Sequence, residues 1–256
     1  MRVRERSTLS PWEMAKKHPI RFEGPAVDFF EGALLGNGAL GAVVNTRPDA
    51  VLVRLGHNNV WDVRVAEENR EKLGTFQEVF ERVRAIPATL ASLEEDPWYR
   101  EYLKMTEANY KRPYPRPFPC GSFLMAFDPR FVEVLGHTVD ISTGLCRVEL
   151  LSGGERLYLE VFVEPDADRV WVRAVDARGR GAAGLIERVR LLPDPETPKE
   201  FPRAEPLAGL PEGAFGFEQV LPRRVDGTPG DPECDRAFRV VFRTTPPLFR
   251  TKRLVK

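Results

Sequence analysis

Between Gly36 and Gly41 the chain reads Gly-Asn-Gly-Ala-Leu-Gly, the spacing of a dinucleotide-binding turn, and the residues on its exit side decide which class of fold the rest can join. A phosphate loop needs a strand entering and a helix leaving, because the amide groups at the helix N-terminus hold the pyrophosphate. Here the exit is Leu40-Gly41-Ala42-Val43-Val44, and Pro48-Asp49 cuts off any helix within about two turns. Val51-Leu52-Val53-Arg54-Leu55 then reads as a second strand. Asp62 lies at about the distance of a ribose-binding acid, but in a chain with 38 Asp and Glu that carries little weight. The turn predicts an antiparallel strand pair and excludes a helix-capped anion site.

From about Gly121 to Val175 the hydrophobic period is two. Cys146, Val148 and Leu150 alternate with Arg147 and Glu149, the signature of a strand with one wet face. Ser142-Thr143-Gly144, Ser152-Gly153-Gly154 and Pro165-Asp166 punctuate the strands at hairpin spacing, which predicts an antiparallel meander. Phe215–Leu221 and Arg236–Arg243 read as closing strands.

Between Val65 and Tyr110 the period changes. Thr75 and Glu78 form a capping-box pattern, and Leu73, Phe76, Val79, Phe80 and Val83 make an apolar stripe before Pro87. A second helix starts with Asp96 as N-cap and Pro97 in the first turn, turning Tyr99, Tyr102 and Leu103 inward. We expect a helical insertion over about residues 65–110, packed on one sheet. Pro113, Pro115, Pro117 and Pro119 impose an extended path, read as a rigid connector rather than a partner-binding segment, and a proline-rich loop is expected over about 192–214. The whole chain, 1–256, reads as one domain of mainly β class, an antiparallel β-supersandwich with a small helical insertion.

Lys+Arg and Asp+Glu are equal at 38 each, so no net field draws the chain to nucleic acid or an anionic membrane. Arginine dominates the cations, and its planar fork favours ion pairs with surface carboxylates. The first twenty residues are charged and lack an apolar core segment, and no run of about eighteen apolar residues occurs. Cys120, Cys146 and Cys234 are too few and too scattered for a disulfide framework or a zinc site. These features predict a cytoplasmic protein without metal or cofactor. His137, after Gly136, is expected to cap a turn, and Asp140 to serve its hairpin.

The Gly36, Asn37, Gly38 and Gly41 strand, continued by Leu55, Asn58, Asn59 and Trp61, resembles the start of the N-terminal β-sandwich domain of glycoside hydrolase family 95 and of related domains on other helical-barrel sugar enzymes. The run from Cys120 to Ala174 is similar to the continuation of such a domain. The resemblance implies an accessory or carbohydrate-binding role. It also implies that the catalytic carboxylates belong to a helical barrel, for which a chain ending at Lys256 leaves no residues, so that the chain reads either as a truncated remnant of a longer enzyme or as a domain whose barrel comes from a partner chain. Many members of that family are exported, from which the charged N-terminus departs. A freestanding glycoside-processing enzyme, using carboxylates that composition cannot select, is the rival reading.

Asn58, Asn59, Trp61 and Asp62 are the candidate ligand contacts. Amide side chains offer donors and acceptors to sugar hydroxyls, and an indole face stacks on the apolar face of a pyranose. The competing reading gives the asparagines to a turn and packs Trp61 beneath the helical insertion.

Overall fold

The computed structural model describes residues 10–62, 74–110, 116–182, 184–195, 197, 201–221 and 236–245. Its contacts divide the chain into two compact units, one formed by Met1–Val60, Phe118–Val220 and Ala237–Lys256, the other by Trp61–Pro117 and Leu221–Arg236.

The larger unit is a sandwich of two antiparallel five-stranded sheets. One runs in the order β1 (Ile20–Glu23), β6 (Val132–Asp140), β7 (Leu145–Ser152), β8 (Glu155–Val163), β9 (Val170–Asp176). The other runs β10 (Arg188–Leu192), β5 (Arg116–Ala126), β4 (Ala50–Asp62), β3 (Leu40–Arg47), β2 (Ala33–Gly36). The second sheet contributes Leu35, Val44, Val51, Val53 and Met125 to the core, and the first contributes Val134, Val148, Leu150, Leu159 and Val161. Each such side chain stabilises by about 1.5–3 kcal/mol relative to exposure. The meander expected over about Gly121 to Val175 is present as β6 to β9, antiparallel and joined by hairpins, whereas the strand at Gly121 belongs to the facing sheet.

No helix comes after the glycine turn. β2 pairs with β3 from Ala33↔Val44 to Gly36↔Gly41, and Gly38, with φ +94°, occupies the reversal. The closing strands form a separate three-stranded sheet, β11 (Glu205–Pro206), β12 (Ala214–Val220) and β13 (Ala237–Arg243), instead of extending either sandwich sheet. Its aromatic residues reach the core edge, with Phe242 5.5 Å from Phe123.

A bulge on β6 overturns the expectation for His137. The register shifts between Val134 and Gly136, so the face that carries Val134 inward is continued by His137 and Val139. His137 is 1% exposed, pairs with Phe22 and Val148, and stacks on the Phe22 ring at 4.9 Å. It caps no turn. Gly136 is required by close approach: its φ is +143°, and a Cβ there would stand 2.2 Å from the Phe22 carbonyl oxygen. Asp140 does serve its hairpin, accepting from the Ser142 amide at 2.8 Å and the Ser142 hydroxyl at 2.6 Å.

Among the described residues, after the short helix α1 (Pro11–Lys16) the α-helices are α2 (Phe76–Arg84) and α3 (Pro97–Tyr110), both in the smaller unit. Thr75 accepts from the Glu78 amide while the Glu78 carboxylate accepts from the Thr75 amide, completing the capping box. Asp96 caps α3 by accepting from the Tyr99 amide at 2.9 Å. The stripe on α2 is not a buried face: Phe76 is 84% exposed, Phe80 is exposed, and Val79 and Val83 are half-buried, while Leu73 lies outside the described residues. Arg82 of α2 lies 5.5 Å from the Trp98 ring of α3.

Candidate functional site

The segment His57–Asp62, expected as a loop tip, is instead the outer half of β4. Pairing with β3 carries it forward: Leu40 opposes His57, and the Asn58 amide donates to the Ala39 carbonyl at 3.0 Å. Beyond Asn58 burial alternates. Val60 and Asp62 are buried, the latter at 1% exposure, whereas Asn59 and Trp61 are exposed, Trp61 at 39%. Since successive strand residues point to opposite sides, the four candidates divide. Asn59 and Trp61 share the open side, and Asp62 is enclosed on the other. The Asn58 side chain is used locally, donating to the Gly38 carbonyl at 3.1 Å, in the structural role given to it by the competing reading.

Asn37 builds the floor of this end of the sandwich. Its Oδ1 accepts from the Ala39 and Leu40 amides at 2.9 and 2.8 Å, closing the glycine turn. Its Nδ2 donates to the Glu164 and Ala167 carbonyls at 3.0 and 3.1 Å, fastening the β2–β3 turn to the β8–β9 turn of the facing sheet. Here lies the physical use of the Gly-Asn-Gly sequence. Two small residues let the backbone reverse, and an amide between them supplies an acceptor to one turn and donors to another.

His57 lies beside this junction. Its Nδ1 accepts from the Asn59 amide at 3.1 Å, leaving Nε2 as the ring nitrogen beside Asp168. That nitrogen stands 3.2 Å from Asp168 Oδ2, at ion-pair distance though outside hydrogen-bond alignment. The backbone amide of His57 donates to the Cys120 thiol, a small opposing effect on a group that burial pushes up to about 12. Burial does the same to Cys146, so neither thiol is a nucleophile at neutral pH. Both are free, and Cys234 lies outside the described residues.

Among the described residues, the carboxylates whose titration the fold shifts are all shifted down. Glu160, 2% exposed, is pushed up by burial, but hydrogen bonds and charge from Arg147 and Arg173 outweigh this. The Arg130 side chain holds Asp128 at about 2, and the Arg180 amide and side chain lower Asp176. Among these groups none has the raised value of a glycosidase general acid. Among the described residues no cluster of three His, Cys, Asp or Glu could hold a metal ion, and no helix is long and apolar enough to cross a membrane.

Sequence reasoning singles out neither Trp171 on β9 nor the His57–Asp168 pair. Trp171 stands two residues before Arg173 on a recognisable strand, which places it on the same wet face, but no motif marks it. The His57–Asp168 contact joins β4 of one sheet to the β8–β9 turn of the other and has no local signal.

No curated protein matches the chain. Residues 20–192 match the glycosyl hydrolase family 65, N-terminal domain. The match begins at the first residue of β1 and ends at the last residue of β10, so both five-stranded sheets fall inside it and the third sheet falls outside. A glycoside hydrolase N-terminal domain of β-sandwich form is thereby established, under family 65 where the sequence resemblance points to the family 95 type. The chain belongs to the glycosyl hydrolase family 65 N-terminal domain family.

Proposed function

We propose that this chain is an accessory, carbohydrate-contacting domain of a glycoside hydrolase, of the kind found in family 95, and that it is not a catalyst by itself. The observation that carries the proposal is the exposure of Asn59 and Trp61 at alternate positions of β4. An indole and an amide on one side of a paired strand present an apolar face and a donor–acceptor group at fixed spacing, which is what a pyranose requires. The resemblance of Gly36–Gly41, Leu55, Asn58 and Trp61 supports the family 95 type. In this reading Asn58 and Asp62 support the strand, with Asn58 holding the glycine turn. Catalytic carboxylates come from a helical barrel acting alongside this domain, a role supported by the downward shift of the perturbed carboxylates here. The two free, buried thiols fit a reducing, cytoplasmic compartment.

The test is an array of neutral and acidic oligosaccharides probed with the full chain, run beside hydrolysis assays on aryl glycosides of several sugars. Binding without turnover is expected. Turnover abolished by replacing one carboxylate would establish the rival, a freestanding enzyme, and absence of binding to every glycan would remove the carbohydrate reading.

A further inference from the structure

The outer face of the meander sheet carries a row of guanidinium groups at right angles to its strands. Arg21 opposes Thr138, Thr138 opposes Arg147, Arg147 opposes Glu160, and Glu160 opposes Arg173, so the rung crosses all five strands of the sheet. Cross-strand partners share a face, and the opposite face of these strands is the core. The rung therefore holds three cations and one anion on the solvent side. Glu160 is bound from both flanks, by Arg147 Nε at 3.0 Å and by Arg173 Nε at 2.5 Å, and its negative charge is covered by the side chains it pairs with. The guanidiniums remain exposed, as does Arg21 at the sheet edge. Alternate members of the row lie two strands apart, about 9.6 Å by the strand spacing.

Beside this row stands Trp171, two residues before Arg173 on β9 and opposite Phe162. It is 47% exposed and already oriented: its Nε1 donates to Glu164 Oε2 at 2.7 Å, and Arg169 lies 5.6 Å from the ring centre. Arg147 is likewise held, 5.1 Å from the Tyr158 ring. The carboxylates of the adjoining rows are Glu149, which Arg156 pairs with at 2.8 Å, Asp140, which is taken up by its turn, and Glu23 at the edge.

We infer that this face is a second carbohydrate-contacting surface, distinct from β4, and that it takes an acidic glycan, a chain of uronate sugars. The indole offers a stacking face for one pyranose ring, and the neighbouring guanidinium meets a carboxylate about 7 Å along the strand. Guanidinium forks match carboxylates bidentately, and the excess of two positive charges on the rung is complementary to a polyanion. Because Trp171 and Arg147 are fixed before any ligand arrives, binding orders few side chains. A single-stranded nucleic acid would also use stacked rings and arginines. The sugar is favoured by the balanced charge of the whole chain and by its membership of a glycoside hydrolase domain family.

Calorimetric titration of the full chain with hexameric oligogalacturonate, its methyl-esterified neutral form and oligo(dT) tests this. Saturable binding of the acidic hexamer is expected. It should weaken at least tenfold in Trp171→Ala and in Arg173→Gln, recover only in part in Arg173→Lys, and fall as salt is raised. Since Arg173→Gln also removes a partner of Glu160, Arg21→Gln serves as a second variant that leaves the Glu160 pairs intact, and it should weaken binding severalfold. Removing a charge from the other sheet, in Arg190→Gln, should leave binding unchanged. Equal affinity for the esterified hexamer, equal or tighter binding of oligo(dT), unchanged binding in Arg21→Gln, or no saturable binding would each overturn the inference.

Discussion

His137 has neither ring nitrogen hydrogen bonded and is enclosed on β6 against Phe22 and Val148. Burial disfavours its charged form and lowers its pKa. The folded value thus lies below the unfolded one. Above about pH 6.5 the ring is neutral in both states and contributes no pH dependence. As pH falls below that value, the unfolded chain takes up a proton that the folded chain resists. Stability should then decline by up to about 1.4 kcal/mol per pH unit until the folded pKa is reached. Urea unfolding at pH 7.5, 6 and 5 should show a shallower loss for His137→Leu than for the parent. Identical slopes would mean that the ring is solvated or paired. At Gly136 a side chain meets the Phe22 carbonyl and a positive φ together, so Gly136→Ala should cost about 3 kcal/mol in the same assay. The loss should appear first as faster amide exchange along β1.

At the scale of elements, the β2–β3 and β8–β9 turns share one fastener. Asn37→Ala removes two acceptor bonds that close its own turn and two donor bonds to the opposite sheet. With net worth near 1 kcal/mol each, the expected destabilisation is about 2–4 kcal/mol by denaturant titration. Asn37→Asp keeps the acceptors and loses the donors, so its stability should fall between those of the parent and Asn37→Ala. If both substitutions were neutral, the turns would be independent. For α2, Thr75→Ala should reduce local stability by about 1 kcal/mol, read as faster amide exchange in residues 76–80 with the sandwich unaffected. The meander is legible in the sequence because hairpin residues and strict alternation agree at every strand from Leu145 to Val175. The outer half of β4 is not, because Gly56-His57-Asn58-Asn59 has little strand propensity and is held by pairing with β3. The place of His137 is hidden because a bulge changes the parity of its strand, and no residue type announces a bulge except the glycine beside it.

For the molecule as a whole, the glycine turn is informative for a reason of connectivity: valines and a proline after Gly41 exclude the helix on which an anion site depends, and β3 stands there. The same residues carry the likeness to a glycoside hydrolase N-terminal domain, and the match over 20–192 establishes that level of kinship. The candidate contacts are legible as residue types but not as geometry. Only alternation along a paired strand separates Asn59 and Trp61 from Asp62, and a segment whose residues favour a loop gives no sign of that alternation. The exposed rings of Phe76 and Phe80 break the amphipathic rule for a helix, which places α2's stripe beyond what periodicity alone can interpret. The central claim is that β4 presents carbohydrate-contacting side chains on its open side. Its most direct test is a calorimetric titration of the parent chain and of Trp61→Ala with the neutral oligosaccharide bound most tightly on the array, circular dichroism confirming an unchanged fold. About a tenfold or greater loss of affinity is predicted; full affinity in Trp61→Ala would contradict it.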